Sequence, residues 1–217
     1  MKIFRAVLAA SILAMPYQAF AEDEPTRLGG GQIAFQYVGR VTLDFLRGTG
    51  TVYGYVTQLA GVPSSALFKG SPGEATALVT FRADVSFQPL PGNGEMGPNQ
   101  FAVFPGLVAP GPFKLYLTEN PSRTWTDPAG FSSGATIAEF TRADEMFTLF
   151  GSIGLNTASA SLASSTAINL NGISWNARRI IPRGITNITT ANGTPLPGST
   201  PVSPAFAFAG YALAIGR

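Results

Sequence analysis

The sequence contains neither cysteine nor histidine. Without cysteine, no disulfide can stabilise the fold, even in an oxidising compartment. Without histidine, Ser-His-Asp and Cys-His nucleophilic sites and every His- or Cys-ligated zinc site are excluded. Acid–base chemistry by Asp, Glu, Tyr, Lys or Arg stays open, as does a metal site made only of carboxylates. No motif indicates a metal or a cofactor, and we expect neither.

The first 21 residues have the pattern of a bacterial-type secretory signal. Lys2 and Arg5 precede an apolar run over 6–15, and residues 19–21 (Ala-Phe-Ala) place small side chains at positions −3 and −1 of a cleavage site. The apolar run is shorter than the roughly 20 residues that a membrane-spanning helix needs. We therefore expect cleavage after Ala21 and export to the periplasm or the outside medium.

Charge is scarce and balanced in the expected mature chain, 22–217. All 12 acidic residues lie there, together with 12 of the 14 basic ones. A nucleic-acid partner requires a basic patch that neutralises phosphates. The nearest candidate, Arg178-Arg179 with Arg183, is too short to form one, so no nucleic-acid partner is expected.

Apolar residues recur with a period of two, which is typical of β-strands. Residues 75–87 show it most clearly, because their odd positions are apolar while Arg82, Asp84 and Ser86 occupy the other face. A similar pattern covers 33–45. Further strands are predicted over 50–58, 112–118, 135–142, 146–154, 157–170, 172–181 and 204–215. Two turns are predicted between them, a hairpin turn at 142–145 and a tight turn at Asn171-Gly172.

Eight to ten strands without a convincing helix predict one antiparallel all-β domain over 22–217. The abundance of Ala and Gly along the strands favours a closed barrel, and a β-sandwich is the alternative. Three Gly/Pro-rich stretches, 88–112, 119–134 and 192–204, are interpreted as long loops at the barrel ends, where binding loops and lids often occur. Uneven strands and Pro-rich loops do not fit an outer-membrane barrel, so integral membrane insertion is not expected.

Charged residues in the middle of strands are the candidates for a site, since only 12% of the chain is charged. If they face inward, they form a polar cluster that orients a ligand; if they face outward, they are solvated or paired on the surface. Aromatic residues likewise either line a pocket or form the core. The candidate ligand-binding residues are Asp44, Tyr55, Arg82, Asp84, Glu139, Trp175 and Arg178.

Residues 48–87, GTGTVYGYVTQLAGVPSSALFKGSPGEATALVTFRADVSF, resemble the early strands of allene oxide cyclase-like and dirigent-like barrels. The resemblance implies a small barrel whose cavity holds a hydrophobic or phenolic compound. It also implies catalysis, if any, by steric steering of a reactive intermediate, with neither histidine nor a cofactor. None of that family's functional residues can be assigned to positions in this sequence.

Three function classes follow. A binding protein needs an apolar cavity for a small hydrophobic or phenolic ligand. A cyclase or isomerase needs a cavity in which at least one carboxylate and one Arg or Tyr converge. A structural envelope protein has no cavity, because side chains can fill an eight-stranded barrel. We expect the binding protein, and the sequence leaves both the ligand and the oligomeric state open.

Overall fold

The computed structural model describes residues 27–87, 102–103, 111–150 and 153–216. The expected signal segment and most of the loop predicted over 88–112 lie outside these residues. The strands are β1 (Ile33–Asp44), β2 (Thr49–Leu59), β3 (Val79–Ser86), β4 (Ala102–Val103), β5 (Phe113–Leu117), β6 (Ala135–Phe150), β7 (Ile153–Ser165), β8 (Ile168–Leu170), β9 (Ile173–Trp175), β10 (Gly184–Asn192) and β11 (Ala205–Ala214).

Eight of these strands form a closed antiparallel barrel, in the order β6-β5-β3-β2-β1-β11-β10-β7, and pairing of β7 with β6 closes it. The short strand β4 adds to the far part of β6, and β8 with β9 forms a separate hairpin. The predicted barrel is therefore confirmed over the alternative of a sandwich. An eight-stranded barrel has an interior just wide enough for packed side chains or one small ligand.

The alternation in the sequence determines which side chains face inward. In β3, Val79, Phe81, Ala83 and Val85 are buried, whereas Asp84 on the opposite face is exposed. The large rings of the interior fit because two inward positions of neighbouring strands, Gly39 and Gly54, are glycines that pair with each other. A Cβ added at Gly39 would lie 2.5 Å from Cζ of Phe208, and one at Gly54 would lie 2.7 Å from Cζ of Phe81.

One end of the barrel is filled by the β8–β9 hairpin and the segment after it. Leu170 and Trp175 are almost completely buried and belong to the same core as Phe35 and Leu59, which lie at the start of β1 and the end of β2. The indole Nε1 of Trp175 donates to the carbonyl of Ala60 over 3.2 Å. The other half of the barrel is thereby left for a cavity.

The tight turn predicted at Asn171-Gly172 is confirmed: it joins β8 to β9, and both residues have positive φ (52° and 93°). The strand predicted over 172–181 ends at Trp175 instead. Asn176 then caps a single helical turn, α1 (Ala177–Ile180), by accepting from the Arg178 amide. In the described part of the chain, no helix combines the length and apolar character needed to cross a membrane.

Prediction from the sequence also failed at two places where polar residues interrupt the alternating pattern: a turn was predicted that is not there, and a strand was missed. The hairpin turn predicted at 142–145 is a bulge inside the continuous strand β6, with a register shift against β7 between Arg142 and Asp144. Strand β10, which pairs with both β7 and β11, was not predicted at all. Its inward side chains include Asn187 and Thr189, so it lacks the apolar alternation that identified β1 and β3.

The loop 119–134 packs on the outer wall of the barrel and not at its end, which corrects the predicted position. Trp125 and Phe131 stack on each other, and both rings contact the outward-facing Tyr53 of β2 in a tilted arrangement. The buried Arg123 donates through Nε to the Gly130 carbonyl (2.9 Å) and through Nη1 to the Ala77 carbonyl (2.7 Å). These contacts hold the segment along β2 and β3.

Candidate functional site

The unfilled half of the barrel encloses a cavity of about 100 Å³. Two walls of different chemistry line it. Most residues of the apolar wall come from β1, β2, β3, β5 and β11. The wall consists of Tyr37, Val41, Leu43, Val52, Phe81, Ala83, Val85, Phe87, Phe113, Ala158, Ala191 and Phe208. The polar wall comes from the three adjacent strands β6, β7 and β10: Arg142, Glu145, Asn156, Asn187 and Thr189.

Four aromatic rings form the inner part of the apolar wall. Phe81 lies 5.2 Å from Tyr37 and 5.5 Å from Phe113, measured between ring centroids, and Tyr37 lies 6.1 Å from Phe208. These separations are within the range of favourable edge-to-face and stacked ring contacts. Nearer the end of the barrel, Val41 and Val52 are half-buried and pack against a second buried cluster, made of Leu43, Phe45, Val85 and Phe206.

Arg142 anchors the polar wall. Its Nη1 donates to Oε2 of Glu145 over 2.8 Å, Nη2 donates to the Asp84 carbonyl over 2.7 Å, and Nε donates to the Gly111 carbonyl over 2.8 Å. The side chain is 4% exposed. Burial lowers the pKa of the Arg142 guanidinium from its ordinary value, while the charges of Glu145 and Asp84 oppose that shift. Arg142 of β6 is thus bonded to the segment just before β5, at Gly111, and to β3, at Asp84.

Both carboxylate oxygens of Glu145 have a partner. Oε2 accepts from Arg142, and Oε1 accepts from Nδ2 of Asn156 over 2.6 Å. Because a carboxylate can only accept here, this contact determines which end of the Asn156 amide is nitrogen. Its oxygen, Oδ1, is buried and has no hydrogen-bond partner among the described residues.

Asn187 on β10 carries a second buried amide oxygen without a partner in the described part of the chain. The residue is 7% exposed and lines the cavity. Nearby, Tyr37 and Thr189 share a hydrogen bond of 2.8 Å between their hydroxyl oxygens. Burial raises the pKa of Tyr37 well above its ordinary value; the bond to Thr189 opposes the shift and the charge of Glu145 adds to it.

The sequence-predicted candidates do not lie here. None of Asp44, Tyr55, Arg82, Asp84, Glu139, Trp175 and Arg178 lines this cavity. The five charged candidates lie outside the barrel interior. Four of them are on the outward faces of their strands, and the fifth is in the short helix α1: Asp44, Arg82, Asp84, Glu139 and Arg178.

Strand pairing brings three of these charges into one row on the outer wall. Arg82 of β3 pairs with Asp84 over 3.2 Å and lies opposite Lys114 of β5, which in turn contacts Glu139 of β6 over 3.1 Å. Asp44 caps the turn after β1 by accepting from the amides of residues 46 and 47, and with Asp84 it borders a shallow polar cleft.

The other three candidates have structural contacts. Tyr55 packs on the outer wall against Trp125 and Phe68. Trp175 is part of the filled end of the barrel, and Arg178 is exposed and donates to the Ala163 carbonyl over 3.3 Å. In the described part of the chain, no group of three or more carboxylates could hold a metal ion.

The five polar lining residues were missed because they lie where the sequence pattern failed. Arg142 and Glu145 are in the predicted turn, and Asn187 and Thr189 are in the unpredicted strand. Asn156 lies between the predicted strands 146–154 and 157–170 and belongs to neither, whereas in the structure it is part of β7. Strands are recognised in a sequence by their alternating apolar residues, and a strand whose inward positions are polar lacks this pattern. The signal that could have identified these residues was a polar residue within an otherwise alternating stretch.

Comparison with protein-family models, with curated proteins and with solved structures finds no match to this chain. The resemblance of 48–87 to allene oxide cyclase-like and dirigent-like barrels therefore stays a prediction.

Proposed function

We propose that this protein is an exported barrel that binds a small, largely apolar ligand in its interior cavity. The observation that carries the proposal is the division of that cavity into an aromatic wall and a polar wall. Binding pockets for small molecules are mostly apolar and contain a few convergent polar groups that orient the ligand. The export part rests on the signal pattern of residues 1–21.

The size of the cavity restricts the ligand. An apolar cavity of roughly 150 Å³ accepts benzene, and the cavity here has about 100 Å³. The cavity is smaller than that, so the part of the ligand inside it is no larger than a single ring, such as that of a phenol, or the end of a longer molecule. The phenolic compounds implied by the resemblance of 48–87 belong to this class.

An enzyme of the cyclase or isomerase kind is the second candidate, because Glu145, Arg142 and Tyr37 all line the cavity. However, both oxygens of Glu145 and three nitrogens of Arg142 are already bonded within the protein. A general base must lie within hydrogen-bond reach of the proton that it removes, and the observed contacts orient Glu145 towards Arg142 and Asn156 instead. Binding is therefore the better-supported function. The structural envelope protein is less well supported, since it would need a filled interior.

The test begins with native mass spectrometry of the mature chain, purified from its own host, followed by thermal shifts with single-ring compounds. The variant Ala191→Leu places a larger side chain in the cavity, and Ala209→Leu makes the same change at an exposed position of β11. We expect a stoichiometric small molecule or a thermal shift in the wild type and in Ala209→Leu, and its loss in Ala191→Leu. A folded wild type that retains no compound and responds to none would overturn the proposal.

A further inference from the structure

We propose that the ligand is uncharged and carries two hydrogen-bond donors, which the side-chain oxygens of Asn156 and Asn187 accept. This inference rests on the proposed function and specifies its ligand class: a ring-sized apolar body with two hydroxyl or neutral amino groups on one side. It is carried by the two buried amide oxygens without a partner among the described residues.

Asn156 supplies the acceptor whose identity is determined by its surroundings. Its Nδ2 donates to the Glu145 carboxylate over 2.6 Å, so the atom of this lining residue that is left without a partner among the described residues is the oxygen. Glu145 is held in turn by Arg142 over 2.8 Å. The orientation of the Asn156 amide is therefore set before a ligand enters, and a donor on the ligand meets a preorganised acceptor.

Asn187 supplies the second acceptor beside the first. Asn156 of β7 lies directly opposite Thr189 of β10, and Asn187 is two residues before Thr189. Asn156 and Asn187 are thus diagonal neighbours on one face of the barrel wall, about 7–8 Å apart at Cα. The hydroxyl of Thr189 is less available to the ligand than the two amide oxygens, because it is already hydrogen-bonded to Tyr37. Two donors on one small molecule can reach both oxygens.

The charge pattern argues against an anionic ligand. Arg142 is the cation of the described cavity lining, and its Nε, Nη1 and Nη2 donate to Gly111, Glu145 and Asp84. Its charge is balanced by Glu145, so a carboxylate on the ligand would be desolvated without a free positive partner. Burying such a charge is costly. The acceptors on the polar wall therefore select neutral donors.

Isothermal titration calorimetry of the mature protein with a series of matched single-ring probes tests this inference. The probes are benzene, phenol, resorcinol, 1,3-dimethoxybenzene and benzoate. Each satisfied hydrogen bond contributes about 0.5–1.5 kcal/mol, which corresponds to at most about tenfold in affinity. We expect resorcinol to bind more tightly than phenol and phenol more tightly than benzene, each by up to about tenfold. The dimethoxy compound and benzoate should show no such gain.

The variant Asn187→Leu removes one acceptor and should reduce resorcinol binding to the phenol level. Thr190→Val, three positions later on β10 and exposed, is the control and should keep the full series. If resorcinol binds no better than its dimethoxy ether, or if benzoate binds best, the two-donor inference is overturned while the proposed function stands. If the folded protein binds no probe and copurifies with no ligand, both fail.

Discussion

Arg142 and Glu145 are three residues apart on one strand, and both side chains nevertheless line the barrel interior, where Nη1 lies 2.8 Å from Oε2. Residues separated by an odd number of positions point to opposite faces of a regular strand. The register shift after Arg142 inserts Ala143 as an extra residue and brings Glu145 back to the inner face. The bulge is what creates the buried ion pair.

Removing one partner of this pair should strongly destabilise the fold. Both Glu145→Leu and Arg142→Met leave an uncompensated charge in the interior, for which a loss of about 3–5 kcal/mol is usual. The double variant Arg142→Met/Glu145→Leu should lose less than the sum of the two. Urea unfolding of the four proteins gives the coupling free energy as a double-mutant cycle.

The pair Lys114–Glu139 on the outer wall provides the matched control. Its Nζ–Oε2 distance is 3.1 Å, but both side chains are about one-third exposed, at 31% and 34%. Exposed pairs of this kind contribute about 0.2–1 kcal/mol. If the coupling free energy is the same for both pairs, then burial of the Arg142–Glu145 pair by the bulge does not increase its contribution to stability.

The fold could be predicted from the sequence wherever one face of a strand is apolar. Residues 75–87 were predicted as a strand with its apolar side chains on one face, and in β3 those odd positions are buried. Asn171-Gly172 was placed in a tight turn because both residues tolerate positive φ. Closure of the sheet into a barrel followed from strand number and small residues. These signals are local, and they do not depend on knowing which strands are neighbours.

The site could not be predicted because its polar wall lacks that signal. Arg142-Ala143-Asp144-Glu145 has the composition of a turn, and a bulge uses the same residue types. In β10 the inward positions include Asn187 and Thr189, so their burial depends on pairing with β7 and β11. Charged strand residues such as Arg82 were more conspicuous in the sequence, but they face the outer wall.

The paired glycines should tolerate no side chain. In Gly54→Ala the new Cβ would contact the Val38 carbonyl and lie 2.7 Å from Cζ of Phe81. Overpacking of this kind usually costs about 1–3 kcal/mol, which urea unfolding measures. Gly73→Ala is the control, since no atom lies within 4 Å of its added Cβ. If Gly54→Ala is as stable as Gly73→Ala, the close packing of Phe81 against β2 is wrong.

Alkaline pH should destabilise the wild type more than the variant Tyr37→Phe. Burial raises the pKa of Tyr37 in the folded state, whereas an unfolded tyrosine ionises at about 10. The resulting stabilisation is fully present below pH about 10 and is lost as pH rises above it. At pH 8 the variant should be about 1 kcal/mol less stable, because it lacks the hydrogen bond with Thr189.

Urea unfolding of both proteins between pH 8 and pH 11 measures this difference. The stability gap should narrow or reverse as the pH rises, since the phenylalanine variant has no hydroxyl to ionise at this position. The other tyrosines with raised pKa, Tyr53, Tyr55 and Tyr116, are present in both proteins and cancel. A gap that stays constant up to pH 11 would contradict the burial of the Tyr37 hydroxyl.

The side-chain oxygen of Asn187, which we propose as an acceptor for the ligand, should reduce the stability of the ligand-free protein. A buried oxygen without a partner costs about 1–3 kcal/mol, and leucine also fits a strand better than asparagine. We therefore expect Asn187→Leu to raise the free energy of unfolding by about 1 kcal/mol or more without ligand, although it weakens donor binding. Exposed Thr190→Val should change it by less than about 0.5 kcal/mol. If Asn187→Leu is instead less stable than the wild type, the side-chain oxygen of Asn187 already has a hydrogen-bond partner in the ligand-free protein. A ligand would then not be needed to explain why a polar residue is buried at this position.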